Sequence, residues 1–106
     1  MANRKQIEEA IYFIDAQEKE EITIGSSAST LTSAVYGTLT RALIQAQDAN
    51  VRFWTTGDTP TTSSGYILYK GDFLELNSTA ELANFKAIRD DNTNAVLAVS
   101  YFKKPV

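Results

Sequence analysis

Asn94-Ala95-Val96-Leu97-Ala98-Val99-Ser100-Tyr101-Phe102 is the stretch that decides the fold. Ala95, Leu97, Val99 and Tyr101 alternate with Val96, Ala98, Ser100 and Phe102, the period-two pattern of a strand, and both sets are apolar enough for both faces to be partly covered. Upstream, the pattern recurs at short spacing. Arg41 to Gln47 puts Ala42, Ile44 and Ala46 on one face, and Asn50 to Thr55 does the same with Val51 and Phe53. Tyr66 to Tyr69, Phe73 to Leu76 and the short Ile22 to Ile24 complete the expected strands. Short strands separated by turn signals predict a mainly β chain, a single antiparallel β-sandwich of jelly-roll-like form. Its core is expected to contain Ile44, Val51, Phe53, Leu74, Leu97 and Val99, each on the apolar side of an alternating run.

Between the strands lie polar connections. Gly25-Ser26-Ser27-Ala28-Ser29-Thr30 reads as a loop of small side chains, Gln47 to Asn50 as a hairpin-type connection, Lys70-Gly71-Asp72 as a tight Gly turn, and Asp90 to Asn94 as a polar loop. One helical signal interrupts the strands. Ser78-Thr79-Ala80-Glu81 has capping-box spacing, and Leu82 and Phe85 give it an apolar side, so a short helix is expected near residues 79–85.

The segment 1–20 reads differently. From Asn3 to Glu20 there is no Gly or Pro, and Ile7, Ala10, Ile11 and Ile14 recur at helical intervals. Ile11-Tyr12-Phe13-Ile14 reads equally well as a strand. The expectation is an N-terminal helix or arm over residues 1–20 beside a sandwich domain over residues 21–106. Residues 1–21 hold three basic and six acidic side chains, so the whole net charge of −3 lies there and the remainder is balanced. An acidic segment with an apolar stripe is costly to leave exposed, which makes Ile7, Ile11 and Ile14 candidate contacts with a partner.

The chain of 106 residues contains no His and no Cys, which removes the commonest catalytic base, the thiol nucleophile, the soft metal ligands and the disulfide together. Its Ser and Thr residues have no Ser-x-x-Lys or Gly-x-Ser-x-Gly setting, and no Gly-rich phosphate loop occurs. The carboxylate pairs Asp72 with Glu75 and Asp90 with Asp91 are better read as turn residues, because the second lacks the Gly and terminal Glu of a calcium loop. No enzyme activity, cofactor or metal is therefore expected. Neither part of the chain has the basic excess that phosphate binding needs, and no apolar run approaches the length of a membrane span, so neither nucleic acid nor membrane is an expected partner. The met-Ala-Asn-Arg-Lys start is followed by Glu8 and Glu9 where a secretory signal would turn apolar, which argues against a signal peptide.

Arg52 and Trp54 are the remaining candidates. On a strand whose Val51 and Phe53 face inward, they face outward together beside the loop Thr55 to Gly65. Such a pair suits an interface or a sugar-stacking platform; alternatively the loop covers Trp54 while Arg52 stacks on its ring.

The order Arg41-Ala42-Leu43-Ile44, Val51-Arg52-Phe53, Gly57-Asp58-Thr59-Pro60-Thr61, Gly71-Asp72, Phe85-Lys86-Ala87-Ile88-Arg89 and Ala95 to Tyr101 resembles small virion-associated proteins encoded among the head and tail structural genes of tailed bacteriophages and prophages. The likeness covers about residues 22–102. It implies a virion structural protein made in the host cytoplasm, most simply a capsid decoration or cement protein that binds the shell as a homo-oligomer. Its partners would be the major capsid protein or neighbouring copies. A small β-sandwich module for carbohydrate or a cell surface, using Trp54 and the tyrosines, is the alternative.

Overall fold

The computed structural model describes residues 16–103. Their strands are β1 (Ala16–Ile24), β2 (Ser29–Thr30), β3 (Arg41–Gln47), β4 (Val51–Trp54), β5 (Tyr66–Leu68), β6 (Phe73–Leu76), β7 (Lys86–Arg89) and β8 (Ala95–Phe102). Two short helices join them, α1 (Ser33–Tyr36) and α2 (Thr79–Asn84). The strands form two antiparallel sheets, in the orders β1-β8-β3-β6 and β2-β7-β4-β5. Every step along the chain crosses from one sheet to the other except β4 to β5. That wrap of eight strands is a jelly roll, the architecture the alternating runs predict.

The two inner faces make the core. Ala42, Ile44, Ala46, Leu97, Val99 and Tyr101 come from the first sheet, and Val51, Phe53, Leu68 and Ala87 from the second. Leu31, Leu39, Leu82 and Phe85, from the connections between strands, are buried with them. Of the six expected core residues, Ile44, Val51, Phe53, Leu97 and Val99 are buried, and Leu74 packs half-buried against them.

Helix α2 starts as its sequence suggests. Ser78 Oγ accepts the Glu81 N–H at 3.2 Å, while the Glu81 carboxylate reaches back to the Asn77 N–H at 2.8 Å, one residue earlier than in the standard capping box. Elsewhere the structure departs from the local reading. Residues 16–20, assigned from sequence to the N-terminal segment, form the first half of β1 and pair with β8. Gln47 to Asn50 is not a hairpin: it carries the chain from β3 in one sheet to β4 in the other, with Asp48 at φ 73°. The expected loop 25–30 contains β2, and Lys86–Arg89 is a central strand of the second sheet. Ile7, Ile11 and Ile14, with the helix-or-arm expectation for them, lie outside the described residues.

Candidate functional site

Strand β4 turns Val51 and Phe53 into the core and leaves Arg52 and Trp54 on the outward face, half-buried. Arg52 does not serve Trp54. Its Nε donates to Asp90 Oδ1 at 2.8 Å and its Nη1 to the Gly65 carbonyl at 3.2 Å, so the side chain ties the β7–β8 connection to the start of β5. Both members of this ion pair are 22% exposed, a geometry that braces the outer face more than it offers a charge to a ligand. Trp54 instead meets Tyr66 edge-on, with ring centroids 5.2 Å apart. Tyr66 is 63% exposed and also lies 5.9 Å from Phe53, whose other neighbour is Phe85 at 5.8 Å. The result is an aromatic corner backed by core rings. The following loop folds onto α2 through the Gly57 N–H and the Asn84 carbonyl, and closes on itself through reciprocal bonds between Thr61 and Ser64.

A second surface covers the outer face of the first sheet. Register places Lys19, Ser100, Leu43 and Glu75 in one row across β1, β8, β3 and β6, and Glu21, Ala98, Gln45 and Phe73 in the next. All of these residues except Glu75 line a shallow concavity of about 420 Å³. Leu43 and Ala98 are only half-buried on the central strands, beside Ser100 and Gln45, and Phe73 is half-buried on the edge strand β6, so apolar groups lie among polar and charged ones. Sequence reasoning did not single this face out. Its signal was in the decisive stretch, where the second set of alternating residues, Val96 and Ala98, is nearly as apolar as the first.

The titratable groups are structural in their contacts. Tyr101 donates its hydroxyl proton to the Glu20 carboxylate, which also accepts the Thr32 N–H at 3.2 Å. Burial foremost, then the hydrogen bond to Glu20 and its negative charge, hold the Tyr101 phenol well above its ordinary value. Asp91 Oδ1 accepts the Thr93 N–H at 2.8 Å, closing the loop on itself, and its neighbour Asp90 is the Arg52 partner. Among the described residues no group of three or more carboxylates is placed to hold a metal ion, and no helix is long and apolar enough to cross a membrane. Compared with protein families, curated proteins and solved structures, the chain matches none.

Proposed function

We propose that this chain is a structural protein of a bacteriophage particle, a decoration or cement protein that seats on the shell as a homo-oligomer. The observation that carries the reading is the outward face of the β1-β8-β3-β6 sheet, a surface on which half-buried Leu43, Ala98 and Phe73 lie among polar and charged side chains. Viral capsid domains, lectins and cupins share the jelly roll, so the wrap fits the proposal without choosing it. The contacts of several polar groups point the same way: Glu20, Asp90, Asp91, Arg52 and the Tyr101 phenol brace the fold. On this reading the protein supplies shape and repeated contacts, and its N-terminal residues, with Ile7, Ile11 and Ile14, add an arm toward the shell or a neighbouring copy. Co-sedimentation with purified shells that lack the protein tests it. Saturable binding at a fixed ratio to the major shell protein is the expected result, and no binding at any ratio contradicts it.

A second reading, carbohydrate binding, has one observation in its favour. Tyr66 exposes most of its ring beside Trp54, with rigid backing from Phe53. Tryptophan fluorescence titrated with oligosaccharides tests it, and a saturable shift abolished in Trp54→Ala is what this reading requires.

A further inference from the structure

One row across the outer face of the β1-β8-β3-β6 sheet ends in opposite charges on the two edges. Lys19 on β1 and Glu75 on β6 share one row, with Ser100 and Leu43 between them. Three strand spacings of about 4.8 Å keep the two charges roughly 14 Å apart, too far to pair within one molecule. The ion pair among the described residues joins Arg52 on the other sheet to Asp90, and among those residues neither Lys19 nor Glu75 is paired.

A twofold axis lying against this face and parallel to the strands exchanges its two edges while keeping each row in place. Laid face to face on a second copy, Lys19 then comes over Glu75 and Glu75 over Lys19. At the centre, Leu43 comes over Ser100. The next row brings Glu21 to the rim above Phe73, where the carboxylate remains in water. We propose that this face is a homodimer interface, formed with the same face of a second copy about such an axis. It is an isologous contact, in which one patch serves both partners, and aligned sheets pack this way about 10 Å apart and within about 30° of each other. The proposal takes from the reading above only the second copy as occupant.

Area sets the expected strength. Six registered residues on each of β1, β8 and β3 and four on β6 give about 350 Å² in plan, which side-chain relief raises but which stays below the roughly 800 Å² per partner of a standard interface. The dimer is therefore expected to be weak, dissociating in the micromolar range.

Sedimentation equilibrium of the full chain, from micromolar to millimolar concentration, tests the proposal in the wild type, Lys19→Glu, Glu75→Lys and the double variant. Each single change is expected to weaken dimerisation about tenfold or more, and the double change to restore it, because the swapped pair is again complementary. Cooperative melts at unchanged temperature verify that each variant is folded. A wild type that stays monomeric at every concentration overturns the proposal, as does a dimer indifferent to both single changes. Rescue of Lys19→Glu by Glu21→Lys in place of Glu75→Lys overturns the strand-parallel axis. A monomer whose β3 and β8 amides are slow to exchange only while residues 1–15 are present assigns the face to the chain's own N-terminal residues and equally overturns it. An intact dimer that fails to co-sediment with shells defeats the particle reading and leaves this one standing.

Discussion

Leu97 lies at the centre of β8, fully buried between the two sheets, with Ile22 and Ala46 as its register partners. Truncation to Ala leaves a cavity that a close-packed core cannot fill, so Leu97→Ala is expected to lower stability by about 2–5 kcal/mol in denaturant melts. A loss well under 1 kcal/mol would place the residue elsewhere. Gly65 is constrained by its backbone: φ is +133°, and an added Cβ would come within 3.1 Å of the Phe53 carbonyl oxygen. Gly65→Ala is therefore expected to cost at least about 1 kcal/mol, read from the same melts, with the Arg52 bond to the Gly65 carbonyl disturbed as well. Tyr101 gives the protein a pH dependence. Because the folded phenol is held above its unfolded value, its contribution is complete below about pH 10 and is lost as pH rises further, when the unfolded state releases a proton that the folded state keeps. Stability measured at pH 8 and at pH 11 is expected to fall more in wild type than in Tyr101→Phe, and equal losses would contradict this assignment.

At the scale of elements, period-two alternation located β3, β4, β6 and β8 because each has one face in the core, and burial is what writes that pattern into a strand. The Ser78–Glu81 signal located α2 because its donors need side-chain partners wherever the helix lies. Turns were less legible. Lys70 to Asp72 is the tight Gly turn its sequence suggests, but Gln47 to Asn50 has hairpin chemistry and is a corner between sheets, since a turn's residues report local backbone angles and not which sheet receives the next strand. β2 is two residues long and leaves no period to read. The charges of Lys19, Glu20 and Glu21 disguised β1, although Glu20 turns inward to meet Tyr101 while its neighbours face water. Of the candidate site, Arg52 and Trp54 were found as outward residues, but the Asp90 partner, 38 positions away, is set by tertiary structure alone. Truncation separates the N-terminal residues from β1. Removing residues 1–15 leaves β1 whole, so a cooperative melt is expected, with weaker self-association or shell binding if those residues are an arm. Extending the cut through Glu20 removes the first half of the register with β8 and leaves the buried Tyr101 hydroxyl without its carboxylate, and should cost a further ~1–3 kcal/mol from that bond alone.

The whole molecule is a wrapped pair of sheets whose first and last strands lie side by side, closing the fold on itself. Glu20, Asp90, Asp91, Arg52 and Tyr101 brace the fold, and half-buried apolar side chains lie on the outer face of the first sheet and at the Trp54–Tyr66 corner. We propose that the protein acts through what it touches, and that what it touches is a particle. Quantitative mass spectrometry of salt-washed virus particles, produced in cells that make the chain, tests that claim most directly. The chain is expected to stay with the particles at a fixed ratio to the major shell protein; its absence from washed particles, while abundant in the lysate, would overturn the proposal.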